Sequence, residues 1–310
     1  MYDIAIIGGG PGGVAAGVYA GRKKLKTIFL TDNIGGQSLV SDDVRNWIGH
    51  KAISGVELAK SLTEHLEDYK DMVDIHEGEK VEEVTKEGEI FKLKTAKEIY
   101  EARAVVVVAG SRRRRLGIPG EEKFEGRGVV YCSTCDAPLF RDRDVAVIGG
   151  GNAGVEAVID LLPYAKSIQH FDRNKKLKAD EGSVNKIQKE EKVTITLNKS
   201  PVEVKGETIV EALVLEDVDT KEKMEVPVQG VFVEIGSVPN SEIVKTLADI
   251  NERGEVVVNH KTFAVDKTPG LYTAGDVCDS LYKQNNISVG DAIKALLSAY
   301  HFLMEQDKEK

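Results

Sequence analysis

One arrangement of residues occurs twice in this chain of 310 residues. An apolar run leads into a glycine-rich turn, then an apolar stretch with helical spacing, a second apolar run and an acid. The first copy reads YDIAIIGGGPGGVAAGVYAGRKKLKTIFLTD, with Gly8, Gly10, Pro11 and Gly13 in the turn and Asp32 beyond the second run. The second reads DVAVIGGGNAGVEAVIDLLPYAKSIQHFD, with Gly149, Gly151, Asn152, Ala153 and Gly154 in the turn and Asp172 at the far end. In such a turn the first glycine permits the bend, the second lets backbone approach a pyrophosphate, and the third lets helix pack on strand. The phosphates then face a helix N-terminus, whose free N–H groups and dipole attract anions. A lone glycine triplet says little, but two copies, each with strand, helix and spaced acid, constrain the fold strongly. They predict an α/β chain with two Rossmann-like dinucleotide-binding domains.

Each copy is followed by short alternating strands. VEEVTKEGEIFKLKTAKEIYEARAVVVVAG predicts a β-meander with turns near Glu87–Gly88 and Thr95–Lys97, closing on a buried strand at Val105–Val108. PVEVKGETIVEALVLEDVDTKEKMEVPVQGVFVEIG repeats the theme, ending in a strand around Val231–Ile235. Crossings between domains are expected at GSRRRRLGIPGEEKFEGRG and near Gly236–Glu242. The tail, with TAGD at Thr273–Asp276 and then an amphipathic helix, is expected to return to the first domain. The reading is therefore a first domain of residues 1–111 and 242–310, with a second domain, 112–241, inserted in it. The net charge of −9 gives no reason to expect a nucleic-acid partner. No apolar run reaches the roughly 20 residues of a membrane helix. The N-terminal residues have no signal-peptide anatomy, so a cytoplasmic protein is expected.

YCSTCDAPLF, Tyr131–Phe140, carries the chemistry. A tetrahedral metal site needs further ligands, and neither Cys278 nor the six histidines supplies a second pair at ligand spacing. A structural disulfide across two residues closes too short a loop to stabilise much. A redox dithiol, Cys132 with Cys135, is the favoured reading, and Asp136 beside it suits proton exchange with a thiolate. No second dithiol is present to receive the electrons, so the acceptor is expected outside this chain. Cys278 reads as a buried small hydrophobe. Arg112–Arg115 reads as a solvated crossing, with a docking patch for an acidic partner as the alternative.

Two dinucleotide units, Cys-x-x-Cys-Asp before the second, GGQ at Gly35–Gln37, TAGD, and KQ at Lys283–Gln284 together resemble the low-molecular-weight thioredoxin reductases over nearly the whole chain. IGGGNAGVEAVIDL, KAD at Lys178–Asp180 and YKQ are most similar to the flavoprotein subunit of alkyl hydroperoxide reductase, without that subunit's additional N-terminal dithiol domain. The resemblance implies a homodimeric flavoenzyme. FAD would lie on Gly8, Gly10, Pro11 and Gly13, with Asp32 near its ribose and Val81 at the adenine. Gly36, Gln37, Asn46, Gly110, Asp276, Lys283 and Gln284 match family positions lining the rest, although Arg is common where Lys283 stands. The nicotinamide cofactor would lie on Gly149, Gly151, Asn152, Ala153 and Gly154. Family members that use NADPH usually carry a His-Arg-Arg cluster where this chain has Asp172, Arg173 and Asn174. An acid there accepts from a ribose 2′-OH and repels a 2′-phosphate, so NADH is favoured. A clamp of Arg173, Lys175, Lys176 and Lys178 on NADPH is the alternative.

The resemblance further implies electron flow from NADH through FAD and the dithiol to a small thioredoxin- or glutaredoxin-like protein, one that could feed a peroxiredoxin. Cys135 would face the flavin and Cys132 the partner. The inserted domain would swing about Gly110–Ser111 and Gly236–Ser237. Rival readings are a flavin oxidase passing electrons to oxygen or peroxide, a redox sensor, and a ferredoxin-fed disulfide reductase. The cysteine pair argues against the first, and the intact second glycine turn against the other two.

Overall fold

The structure is a computed structural model that describes residues 1–41 and 44–308. The chain divides into two compact units, Met1–Arg112 with Val238–Lys310, and Arg113–Ser237 between them. The first unit opens with β1 (Tyr2–Ile7), α1 (Pro11–Arg22) and β2 (Thr27–Thr31), then α2 (Gly55–Glu67) and β3 (Val73–Glu77). β4 (Val81–Glu87), β5 (Ile90–Thr95) and β6 (Ile99–Val107) follow, and β7 (Ser111–Arg113) leads out. α2 starts sharply because Ser54 caps it: its hydroxyl accepts from Glu57 N while Glu57 accepts from Ser54 N.

In the second unit come β8 (Val129–Val130), the single turn α3 (Ser133–Asp136), β9 (Asp144–Ile148), α4 (Asn152–Leu161), β10 (Ser167–Asp172) and α5 (Glu181–Ile187). β11 (Val193–Leu197), β12 (Lys199–Lys205), β13 (Ala212–Asp217), β14 (Lys223–Pro227) and β15 (Gly230–Val233) complete it, and β16 (Ser237–Pro239) leads back. β17 (Leu271–Thr273) and the long α6 (Asn285–Lys308) return to the first unit.

In the first unit β3, β2, β1 and β6 lie side by side in that order, all parallel, and β17 adds to β6. β5 and β4 continue the sheet antiparallel. The meander therefore shares a sheet with the dinucleotide strands, because β6 has nine residues. Its first half pairs with β5 and its second half with β1. In the second unit the meander β12–β13–β14 is a separate sheet from the parallel β11–β10–β9–β15–β8. Strand β9, DVAVI, shows why. Val145 and Val147 pack with Val155, Val158 and Leu161 of α4, while Ala146 and Ile148 pack with Leu213 and Leu215 of the meander. A parallel strand covered on both faces reads as a continuous apolar run. The two crossings, β7 and β16, pair with each other, and each meets a glycine in left-handed conformation, Gly110 (φ 64°) and Gly236 (φ 93°).

Candidate active site

Both glycine turns lie at the carboxyl ends of parallel strands, where open α/β sheets bind their ligands. In the first, a Cβ on Gly13 would stand 1.8 Å from Gly8 O, so helix and strand close to a distance only glycine allows. A Cβ on Gly10 would meet nothing within 4 Å, leaving that side open. Helix α1 starts there with Pro11, without a side-chain cap and without an acid in its first turn. Its leading N–H groups and dipole are thus available to an anion. These residues fit a dinucleotide pyrophosphate.

Of the other residues singled out by sequence, Gly36 lies against that turn. Gly36 adopts φ 55°, and a Cβ on it would lie 3.1 Å from Gly10 Cα. Gly36 N donates to Asn33 Oδ1 at 3.1 Å. Gln37 Nε2 donates to Ser111 O, next to Gly110. Asn46 Nδ2 donates to Gln284 Oε1 at 2.9 Å, and Asn46 O accepts from Asn286 Nδ2 at 2.6 Å. Asp276 sits in the turn Gly275–Val277 directly after β17. Lys283 donates to Cys278 O and pairs with Glu255 at 3.0 Å. Asp32 is exposed one residue past β2, and the Val81 side chain is buried at the start of β4. Cys278 is fully buried, and burial pushes its thiol up from the ordinary range.

The second turn repeats the construction: a Cβ on Gly154 would lie 1.8 Å from Gly149 O, and one on Gly151 would meet nothing within 4 Å. Gly151, Asn152 and Ala153 are exposed, and α4 has no side-chain cap. Asn152 Oδ1 accepts from Asp180 N at 2.8 Å. Beneath the turn, buried His170 Nε2 lies 2.7 Å from Gly149 O and donates to it. Burial pushes that imidazole down, so it is neutral. The two acids that the sequence reading paired are out of register. Gly8 N donates to Leu30 O and Gly149 N to Phe171 O, so Asp172 corresponds to Thr31 and Arg173 to Asp32. Asp172 is the last residue of β10, buried, and accepts from Gly150 N at 2.6 Å and from Asn174 N and Nδ2 at 2.7 Å each. Arg173 is exposed.

Cys132 and Cys135 are joined as a disulfide, with Cα atoms 5.3 Å apart. Cys132 is the N-cap of α3, whose last residue is Asp136. Burial raises the Asp136 carboxyl to about 6, against the opposing pull of Arg113. Two acids that sequence reasoning missed hold the residues between the cysteines. Glu234 Oε1 accepts from Ser133 N at 3.1 Å, and Asp160 Oδ2 accepts from Ser133 Oγ at 2.8 Å and Thr134 Oγ1 at 3.2 Å. Glu234 stands just past β15, and β15 pairs with β9. No spacing in the sequence links it to Ser133, 101 residues earlier. Arg112 pairs with Glu242 at 3.0 Å, and Arg115 pairs with Glu125 at 2.7 Å and covers Tyr131. Among the described residues no group of three or more His, Cys, Asp or Glu could hold a metal ion. Nor is any described helix long and apolar enough to cross a membrane.

Residues 2–292 match the family model described as pyridine nucleotide-disulphide oxidoreductase. The chain is 36% identical to the NADH dehydrogenase of Bacillus subtilis (strain 168) over 305 residues, 98% of this chain and 59% of that protein. It is 36% identical to the F subunit of alkyl hydroperoxide reductase from Staphylococcus aureus (strain MRSA252) over 304 residues, with the same coverage. It thus spans about three-fifths of the length of these curated relatives. The crystal structure of thioredoxin reductase from Streptococcus pyogenes MGAS5005 superposes with a TM-score of 0.90 at 32% identity, covering 98% of this chain and 99% of that one. Twin dinucleotide turns, a Cys-x-x-Cys disulfide and these likenesses agree: the chain belongs to the pyridine nucleotide-disulphide oxidoreductase family.

Proposed function

We propose that the protein is a FAD-dependent protein-disulfide reductase driven by NADH. The observation that carries this reading is the Cys132–Cys135 disulfide, set at the opening of the second dinucleotide unit with Asp136 beside it. The residue set around Gly8–Gly13, Gly36, Gln37, Asn46, Gly110, Asp276 and Gln284 would hold FAD, with Asp32 toward the ribose and Val81 toward the adenine. Bound there, FAD would supply two-electron chemistry between the nicotinamide cofactor and the disulfide. The chain's own residues do the rest. Gly149–Gly154 seats the nicotinamide cofactor, Cys135 is the flavin-facing sulfur, and Cys132 is the outer one that attacks a partner's disulfide. Asp136, with a carboxyl near 6, holds a proton for the thiolate that leaves when the S–S bond opens.

The preference for NADH rests on Asp172. Its carboxylate, one residue before the exposed Arg173, is fixed at the turn by three N–H donors, and its negative charge there disfavours a 2′-phosphate. The alternative basic clamp is weakened because Lys175 is engaged by Asp219 at 2.7 Å. A relative named NADH dehydrogenase supports the same choice. Dithiol and nicotinamide sites belong to one unit and the flavin site to the other, so turnover requires the inserted unit to swing about Gly110 and Gly236. The acceptor is a small thioredoxin- or glutaredoxin-like protein, which can feed a peroxiredoxin, and the working form is a cytoplasmic homodimer. The test is anaerobic bleaching of the flavin band with NADH and NADPH side by side. Fast bleaching by NADH is the expected result. Fast bleaching by NADPH alone would overturn the role of Asp172, and bleaching by neither would overturn the reductase reading.

A further inference from the structure

The loop between the two cysteines is gripped from outside by carboxylates of two other elements. Asp160 of α4 holds the hydroxyls of Ser133 and Thr134, and Glu234, just past β15, holds the Ser133 amide. A carboxylate held close to a thiol opposes its ionisation, because the two like charges repel. Cys132 directly precedes Ser133, so the Glu234 carboxyl bound to the Ser133 amide stands at the backbone link next to that cysteine. The charged groups that face Glu234 are Arg113 of β7, Asp136 of α3 and Asp160 of α4. One guanidinium thus stands against three carboxyl groups.

We propose that Glu234 is a positioning residue that sets the acidity of the Cys132–Cys135 dithiol: with its carboxylate held at the Ser133 amide between the cysteines, it keeps the reduced pair as thiols rather than thiolates. This rests on the disulfide-reductase reading. Opening the bond takes two electrons, delivered by reduced flavin, and two protons, from Asp136 and solvent, and ends as two neutral thiols. A dithiol denied thiolate stabilisation gains less from being reduced, which makes it the better electron donor. Burial, opposed by Arg113 and the Ser133 N–H and reinforced by Asp160 and Asp136, raises the Glu234 carboxyl to about 7. Its charge is therefore present above neutrality, where thiols ionise.

The test starts from full-length, flavin-loaded protein reduced with dithiothreitol and freed of it. The rate of iodoacetamide capture at Cys132 and Cys135 is followed against pH by peptide mass spectrometry. Glu234→Gln keeps size and an acceptor oxygen but loses the charge. It should lower the midpoint of the profile by about one pH unit, a tenfold gain in the ionisation constant. Asp160→Asn should move it the same way by less. Midpoints unchanged in both folded variants would overturn the proposal. A wild-type disulfide left closed by NADH and NADPH alike would end the reductase reading instead, and the capture profile, which uses chemical reduction, would still decide the role of Glu234.

Discussion

Glu79 shows how far a single side chain can depart from its sequence context. It lies between exposed neighbours, yet is buried beside β3 and accepts from Thr95 Oγ1 at 2.7 Å, Tyr100 Oη at 2.9 Å and Lys97 Nζ at 3.4 Å, with His76 Nδ1 at 3.3 Å. Burial alone would push this carboxyl up. The hydrogen bonds outweigh it and bring the group from 4.5 to about 2. Because the folded state lowers this pKa, the contribution is present above pH 4.5 and is lost as pH falls from there toward 2. Glu79→Gln should cost on the order of 2 kcal/mol at neutral pH, by leaving buried donors poorly met. Urea midpoints measured across that acid window should converge for variant and parent, and parallel curves would refute this account. Residues close in sequence, such as Cys132, Cys135 and Asp136, were legible because their chemistry depends on local spacing. Glu79, Glu234 and Asp160 were not, because strand pairing and helix packing, rather than spacing, bring them to their partners.

Helices and strands were legible where period and glycine punctuation agree, as in the two strand–turn–helix units. The sequence reading went astray where one residue of register matters. Asp32 and Asp172 both end an apolar run before a polar stretch, but the hydrogen bonds of Gly8 and Gly149 set them one position apart. Sheet continuity through β6 was likewise hidden. Its alternation at Ile99–Ala102 and its solid burial from Ala104 are the marks of its two kinds of neighbour. The turns also allow the two units to be separated by experiment. A methyl on Gly13 or Gly154 would be driven 1.8 Å from a carbonyl oxygen, and backbone must move to relieve it. Gly13→Ala should purify with most of its flavin lost. Gly154→Ala should keep its flavin but be reduced by NADH at least about tenfold more slowly, the rate equivalent of ~1.4 kcal/mol. Flavin content and anaerobic stopped-flow reduction check both, and equal effects of the two variants would contradict the division of roles.

For the molecule as a whole, the order of elements along the chain carries the functional logic. A dinucleotide unit with its own dithiol interrupts another dinucleotide unit, and both crossings meet left-handed glycines at Gly110 and Gly236. At the first crossing Arg112 pairs with Glu242 and Arg115 with Glu125, while the charge of Arg113 opposes the effect of burial on Asp136 and Glu234. The central claim is that electrons entering at the nicotinamide site arrive at Cys132 and Cys135. The most direct measurement is anaerobic treatment of the flavin-loaded protein with NADH, followed by denaturing alkylation and peptide mass spectrometry. Before NADH, alkylation should mark Cys278 alone. After it, Cys132 and Cys135 should be marked as well, each with one alkyl group. A flavin bleached by NADH with Cys132 and Cys135 still joined would contradict the account.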